Sequence, residues 1–434
     1  MLVAETGHGD VVAYLKADVM PLFRTRRDLH WRSAANEYAW HANEGARALR
    51  LAATAGDAAA VLPYVQKAIS SMVRVVLRAD DSDGSIGGII GNLLELHAEV
   101  ASIAPPPASK LVAWLIKFQF DGTQDFFTID IVRYAGALGN KGMAKYRDEL
   151  HKIAESLPPE PTREEEHAIR PVFGNSDAYE EMITARHNRF LLNFNAQRLA
   201  VVDGDADAVI ARYGGDQNMA YQMRETAAAL AEIGHIEQAL TFARRGAAME
   251  PWHQADQAAE LWCTLVAEHR PDELAPAHRE VFDHRPTSSA ASRLRKAMGS
   301  EWPQAEPEVL AALESRPRDL VLFLLLDLDD PQRAWDAAQR LAPADIDVLT
   351  RVVDAYGEVD PGAVIPTLRE LIESDLAVAD ARNYRSAVKR MRKLRKFSAA
   401  AGQPEMCREY ILSLLEEHRN RPRFVREVDR AGLL

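Results

Sequence analysis

Residues 221–251, YQMRETAAALAEIGHIEQALTFARRGAAMEP, contain the clearest structural pattern in this 434-residue chain. Apolar residues recur at helical spacing on both sides of Gly234, which supplies a helix stop. Pro251 ends the second helical segment, and Gly246 places a residue without a side chain where two helices would touch. The stretch therefore predicts two helices joined by a tight turn.

The spacing inside this stretch is typical of a helical repeat. Gly234 and Ala239 are five residues apart, and Ala239 and Pro251 are twelve apart. Both steps match the tetratricopeptide pattern, in which small residues lie where paired helices meet. The Trp and Tyr that mark the first helix of that repeat are missing, so the unit is degenerate.

Helical period continues on both sides of this unit. Residues 35–53 and 58–78 form a predicted hairpin that turns at Gly56. The apolar run at 321–326 has helical flanks, so we interpret it as a buried helix rather than a strand. Later predicted pairs are 256–269 with 272–284, 332–341 with 345–356, and 361–376 with 381–401. The sequence predicts an all-α protein, an α-solenoid of stacked antiparallel helix pairs with tetratricopeptide-like repeats.

The composition shifts at residues 157–175, LPPEPTREEEHAIRPVFGN, which hold four prolines and three consecutive glutamates. We interpret this stretch as a linker or long loop. It would separate an N-terminal segment of helical hairpins, 1–156, from a C-terminal solenoid, 176–434. The alternative is a surface loop within one continuous solenoid.

Composition limits the class of protein and its surroundings. Hydrophobic residues make up 47% of the chain, and the formal net charge is -12, which opposes general binding to nucleic acid or anionic membranes. No apolar run reaches the ~20 residues of a membrane span, and the N-terminus lacks the pattern of a secretory signal. Cys263 and Cys407 are predicted to be buried free thiols. We expect a cytoplasmic protein with no membrane partner.

An aspartate cluster, Asp80, Asp81 and Asp83 before Gly84, suggests either a calcium loop or a helix N-terminus. A calcium loop would need an oxygen ligand at Ala79 and a glutamate at position 90, and neither is present. Carboxylates also cap the free N–H groups that begin a helix. We therefore predict a capping role.

The chain carries no recognised catalytic, metal or phosphate-binding motif. Glu95, His97 and Glu99 lie two apart, so a helix directs them away from one another and they cannot share a metal. We interpret them as a surface helix with one partly buried histidine. No catalytic residue, metal site or cofactor is expected, although an enzyme with a pocket gathered from separate helices stays open.

Basic residues concentrate near the C-terminus. Residues 385–396 hold seven Arg and Lys and no acid, and residues 385–430 carry a net +7, which leaves -19 for the rest of the chain. Tyr384, Val388, Met391 and Leu394 form a predicted buried stripe on one helix. The candidate binding residues occupy another face of that helix: Arg385, Lys389, Arg392 and Lys396.

Several short motifs, taken in order, resemble one known family. They are residues 80–84, DDSDG; 134–139, YAGALG; 143–146, MAKY; the unit 234–246; 282–286, FDHRP; Ala334-Trp335; and the ending 416–424, EEHRNRPRF, with 429–433, DRAGL. The chain resembles the C-terminal, tetratricopeptide-like region of bacterial, largely actinobacterial, SWIM zinc-finger family proteins. The Cys-x-Cys and Cys-x-His pairs that would hold the zinc are absent. The resemblance implies a helical scaffold without the finger.

These patterns favour a non-catalytic scaffold that binds a protein or peptide along its helical surface. The alternative is a regulatory protein that associates with nucleic acid through the basic end, as the resemblance implies. Aromatic residues that could stack on bases are few in this region: Tyr384, Phe397 and Phe424.

Overall fold

A computed structural model of the protein describes residues 8–169, 177–342 and 345–433. Within these ranges the chain is helical, with no β-strand beyond an isolated bridge between Leu29 and Ala79. The chain divides into two compact units, Met1–Phe242 and Ala243–Leu434. This arrangement confirms the predicted all-α class.

Unit 1 is built from helices of uneven length. In chain order they are α1 (His8–Tyr14), α2 (Arg32–Ala52), α3 (Ala58–Val76), α4 (Ser85–Ile103), α5 (Ala108–Phe120), α6 (Ala135–Ser156), α7 (Arg163–Ile169), α8 (Asp177–Asp203), α9 (Ala206–Tyr213) and α10 (Ala220–Glu232). Helix α11 (Ile236–Ala247) crosses from unit 1 into unit 2.

Unit 2 continues with helices of more even length. They are α12 (Trp252–His269), α13 (Leu274–His284), α14 (Ser288–Met298), α15 (Trp302–Leu313), α16 (Pro317–Leu326), α17 (Pro331–Leu341), α18 (Ile346–Tyr356), α19 (Ile365–Ala377), α20 (Ala381–Ala400), α21 (Pro404–Glu417) and α22 (Pro422–Arg430).

The stretch at 221–251 forms the predicted pair of helices, α10 and α11. Gly234 lies between them with a φ of 82°, a conformation that glycine adopts without the steric cost of a side chain. Ala239 and Ala243 are fully buried, which shows why small residues recur at these positions. The run at 321–326 belongs to α16, which confirms the helix over the strand.

Helices in unit 2 pack against their neighbours in a regular order. Consecutive helices form pairs, as α16 does with α17 and α19 with α20. Alternate helices also touch, so α14, α16 and α18 form a row, and α22 lies beside α20. Each helix thus buries its apolar stripe only against near neighbours, which is the arrangement of a helical-repeat solenoid.

Ion pairs connect alternate helices along unit 2. The partners in the following pairs are 26 to 36 residues apart, close to the length of one repeat. They are Arg244–Glu280, Arg318–Asp345, Arg333–Glu306 and Arg340–Glu314, with N–O distances of 2.7 to 2.9 Å. Many charged residues in this unit therefore pair within the protein.

Residues 157–175 connect helices that belong to the same compact unit. The described part of this stretch includes α7, and residues 170–175 lie outside the described ranges. On either side, Tyr146 of α6 donates a hydrogen bond to Asn195 of α8 at 2.6 Å. The compact units divide at Phe242 and Ala243 instead, so a domain boundary at 157–175 stays a prediction.

Candidate binding face on helix α20

Helix α20 begins at a defined cap. The Asp380 carboxylate accepts hydrogen bonds from the backbone N–H groups of Arg382 at 2.7 Å and Asn383 at 3.4 Å. These bonds occupy two of the N–H groups that have no partner inside the helix, and they lower the pKa of Asp380. The cap fixes the residue at which α20 begins.

The predicted apolar stripe of α20 is buried. Tyr384 and Val388 are each 6% exposed, and Met391 and Leu394 are fully enclosed. Because residues three and four apart share one side of a helix, this stripe directs the positions between its members toward solvent. Arg385, Lys389, Arg392 and Lys396 are all exposed, as the sequence predicts.

The four predicted binding residues differ in their partners. Lys396 forms an ion pair with Glu358, and both side chains are about 60% exposed. Among the described residues, Arg385, Lys389 and Arg392 form no ion pair and no side-chain hydrogen bond. These three cations lie at positions i, i+4 and i+7, so they share one face, which we call the basic face.

Other basic residues of α20 hold the fold together. Arg390, which the helical period places between the two faces, forms an ion pair with Asp375 of α19. Its side chain is 9% exposed and that of Asp375 is 13% exposed. Arg390 also donates to Thr350 of α18 at 3.1 Å. Sequence reasoning missed this role, because the partners lie on two preceding helices.

Two further cations of α20 are also used within unit 2. Lys393 pairs with Asp354 of α18, and Arg395 donates to the backbone carbonyl of Gly432. The run of seven basic residues is therefore divided in function. Four of them bond within the protein, and the three of the basic face do not.

Helix α22 adds positive charge next to α20. It packs directly against α20, and Tyr384 and Phe424 are in ring contact between the two helices. Arg423, Arg426 and Arg430 are exposed on α22. This end of unit 2 therefore presents cations from two adjacent helices.

Aromatic rings at this end lie in the core. Tyr384 is 6% exposed, Phe397 is 3% exposed and Phe424 is fully buried. Base stacking requires an accessible ring face. These three residues are therefore excluded as a stacking platform for nucleic acid.

The aspartate cluster caps a helix, as predicted. Asp81 accepts hydrogen bonds from the backbone N–H groups of Ile86 at 2.7 Å and Gly87 at 2.8 Å, in the first turn of α4. Asp83 accepts from Ser85, which lowers the pKa of this exposed carboxyl to about 2. Within the described ranges no group of three or more His, Cys, Asp and Glu residues is arranged to hold a metal ion.

Glu95 pairs with Arg133 and Glu99 pairs with Arg50, whereas the burial of His97, which lies between them in the sequence, differs from the prediction. His97 is fully buried rather than partly buried. Its ring nitrogens lie 3.0 Å from Gln66 and 2.9 Å from Tyr134, and the ring stacks on Trp114. Burial lowers its pKa to about 3, so the ring is neutral and holds helices together.

Both cysteines are buried free thiols, as predicted. Cys263 lines a cavity of about 240 Å³ together with His278 and Arg293. Burial raises the pKa of Cys263 to about 11 and lowers the pKa of His278. The thiol is therefore protonated at neutral pH, which is unfavourable for nucleophilic chemistry.

No helix in the described ranges is both long enough and apolar enough to cross a lipid bilayer. Some large apolar side chains on helix surfaces are exposed, among them Leu51 at 60% and Leu412 at 47%.

The fold defines the class: an all-helical repeat protein in which α20 and α22, packed side by side in unit 2, both carry exposed cations. A family model described as "Family of unknown function (DUF6880)" matches residues 1–426, so the chain belongs to this family. Comparison with curated proteins gave no match. The resemblance to SWIM zinc-finger family proteins stays a prediction.

Proposed function

We propose that this protein is a non-catalytic helical-repeat scaffold, and that the basic face of α20 binds an acidic segment of a protein partner. The supporting observation is the contrast within α20 itself. Arg390, Lys393, Arg395 and Lys396 have partners inside unit 2, whereas Arg385, Lys389 and Arg392 are exposed cations with none among the described residues.

The spacing of the basic face suits an extended or helical acidic segment. Seven residues of helix separate Arg385 from Arg392, a rise of roughly 10 Å. Carboxylates one or two helical turns apart can approach all three cations at once. Charge complementarity of this kind speeds association and selects the partner, and its contribution falls as salt rises.

The proposal is tested by charge reversal. The triple variant Arg385→Glu, Lys389→Glu, Arg392→Glu should lose its partner in affinity purification from the native host. We expect affinity for a captured partner to fall at least about tenfold, equivalent to about 1.4 kcal/mol. Titration calorimetry at low salt and at about 0.5 M salt should show the difference shrinking as screening increases.

A matched control reverses three other exposed cations of unit 2, at Lys296, Arg316 and Arg408. This variant carries the same change in net charge at positions outside α20. It should retain the partner, so loss in both variants would indicate a general effect of charge. If every captured partner stays bound to the basic-face variant, the proposed site is wrong.

A nucleic-acid-associated regulator is the second candidate, favoured by the exposed arginines that α22 adds beside α20. Phosphate contacts would give salt-dependent retention on heparin and on double-stranded DNA. The net charge of -12 and the buried aromatic rings favour the protein partner. Retention on DNA that the basic-face variant abolishes would favour the regulator instead.

A further inference from the structure

A groove in unit 1 lies between α3 and α5, along the last turns of both helices. Its cavity volume is about 530 Å³. Helix α3 contributes one wall, α5 contributes the other, and the turn after α5 closes one end. The lining residues are Ser70, Val73, Arg74 and Leu77 on the α3 side and Trp114, Lys117, Phe118, Asp121 and Thr123 on the α5 side.

Helix α4 ties the two walls together at one end of the groove. His97 of α4 lies 3.0 Å from the Gln66 side chain of α3 and stacks on Trp114 of α5 with the ring centroids 3.9 Å apart. The lining residues then continue one and two turns further along both walls, from Ser70 to Leu77 and from Trp114 to Asp121. A groove between two helix ridges is the shape that accepts a third helix.

The groove exposes apolar surface that the fold does not cover. Leu77 is 53% exposed, and Trp114 and Phe118 are half-buried. The Trp114 ring is stacked with both His97 and Phe118, so these rings are already engaged with one another. The remaining ring edges and methyl groups favour aliphatic side chains over a planar ring as the occupant.

Positive charge flanks this apolar surface. Arg74 and Lys117 stand on opposite walls, and among the described residues neither is paired with a carboxylate. Arg74 donates from Nε to the Ser70 carbonyl at 3.0 Å, and its terminal nitrogens have no hydrogen-bond partner among the described residues. One carboxylate, Asp121, also lines the groove, and its Oδ1 accepts from the backbone N–H and the hydroxyl of Thr123 at 3.0 and 2.6 Å, so the two cations outnumber it.

From this geometry we propose that the groove binds one amphipathic helix of a partner protein, with an aliphatic stripe facing Leu77 and Trp114 and acidic residues flanking the stripe. Two turns of groove span roughly 10 Å, which matches aliphatic anchors at i, i+4 and i+7. Flanking glutamates would reach Lys117 and Arg74. The site lies in unit 1 and is separate from the basic face.

The test uses the full-length protein and a designed probe. The probe is a fluorescein-labelled helical peptide with leucine at i, i+4 and i+7 and glutamate on both flanks. Fluorescence anisotropy should show saturable binding. A peptide with the leucines moved off one face, and a peptide with lysine in place of glutamate, should each bind at least about tenfold more weakly.

Two variants locate the peptide on the groove. Leu77→Glu places a charge in the apolar wall and should weaken binding at least about tenfold, whereas Leu51→Glu, at a similarly exposed leucine of α2, should not. Lys117→Glu should lower the affinity for the acidic peptide and raise the affinity for the lysine-flanked peptide. The variant with the charge-reversed basic face should bind the probe with unchanged affinity. Failure of this proposal can therefore be distinguished from failure of the proposed function.

Three results would overturn the proposal. The first is no saturable binding of the acidic peptide up to about 1 mM, the limit of weak recognition. The second is equal binding of the peptide with displaced leucines. The third is tight binding of laurate, an apolar carboxylate, with no binding of the peptide, which would assign the groove to a small molecule.

Discussion

The two units hold their helices together through different polar interactions. In unit 1 the buried polar side chains include His97, Gln119 and Asn195, each hydrogen-bonded to residues far away in the sequence. In unit 2 the described buried polar side chains are Arg390 and Ser398, and the polar links between helices are mostly ion pairs at the surface.

The network in unit 1 is specific to its place in the fold. Gln119 of α5 donates to the Tyr146 hydroxyl at 2.8 Å, and that hydroxyl donates to Asn195 of α8 at 2.6 Å. Asn195 returns a hydrogen bond to Gln119 at 3.0 Å. A buried set of this kind is costly when one partner is lost, whereas a surface ion pair is replaced by water at little cost.

The two units therefore differ in the interactions that determine which helices pack together. Unit 2 repeats one arrangement, in which each helix contacts near neighbours and surface charges recur at the repeat length. Unit 1 relies on buried hydrogen bonds between individual side chains, such as those of Gln119, Tyr146 and Asn195. We therefore expect substitutions in unit 1 cores to be more damaging than substitutions of surface charges in unit 2, with Arg390 as the exception in unit 2.

The largest loss of stability is expected for a substitution of Arg390. Arg390→Ala should destabilise the fold around α19 and α20 by about 3 to 5 kcal/mol, because it leaves the carboxylate of Asp375 buried without its cation. Urea unfolding followed by hydrogen exchange on helices α18 to α20 measures this. The double variant Arg390→Met, Asp375→Leu removes both charges and should recover most of the loss; no recovery would contradict the assignment.

Tyr146→Phe tests the network of unit 1. Removing one hydroxyl leaves the Asn195 and Gln119 side chains short of a buried partner, and we expect a loss of about 1 to 3 kcal/mol in the free energy of unfolding. Tyr64→Phe is the matched control, because the Tyr64 hydroxyl makes only a long contact of 3.5 Å to Val12. Equal losses of unfolding free energy in the two variants would show that the hydrogen-bond network adds no stability beyond that of an ordinary tyrosine hydroxyl.

His97 makes the stability of unit 1 depend on pH. Its pKa is lowered by burial to about 3 in the fold, against about 6.5 in an unfolded chain. Below pH 6.5 the unfolded state binds a proton that the folded state does not, so stability falls as the pH falls toward 3. Between pH 6 and 4 we expect up to about 1.4 kcal/mol per pH unit from this residue.

The variant His97→Gln keeps a polar side chain but removes this titration. Its unfolding free energy should therefore depend less steeply on pH than that of the natural protein over the same range. Thermal and urea unfolding at several pH values give the two slopes. Parallel slopes would mean that His97 is not the group responsible.

The smallest effect is expected at the surface ion pairs of unit 2. Arg340 and Glu314 are about half exposed, and Arg340→Ala should cost no more than about 0.5 kcal/mol. The same change measured at about 1 M salt should have still less effect, because salt screens exposed charges. A loss of unfolding free energy as large as that of Tyr146→Phe would show that the two units do not differ in this respect.

The sequence predicts features that depend on local period. The 3.6-residue period of apolar residues predicts the helix pair around Gly234 and the helix at 321–326. The same period predicts the buried stripe of α20, which consists of Tyr384, Val388, Met391 and Leu394. The cap by Asp81 also follows, because carboxylates before a helix have a local role.

Other features depend on which helices become neighbours, and local period carries no such information. The bond between His97 and Tyr134 joins residues 37 apart, and Lys396 meets Glu358 across 38 residues. The helical period places Arg390, Lys393 and Arg395 alike between the two faces of α20, yet Arg390 alone of the three is buried. The groove between α3 and α5 was likewise invisible, because its walls come from separate helices.

The ion pairs between alternate helices of unit 2 also have a mechanical consequence. Each pair spans a single repeat, so a pulling force applied along the unit would load the repeats in series, and each could yield on its own. Such a unit extends gradually under force, and added salt would lower its stiffness because it screens the ion pairs. Unit 1, whose buried network joins α5, α6 and α8, would resist tension and then give way in one step.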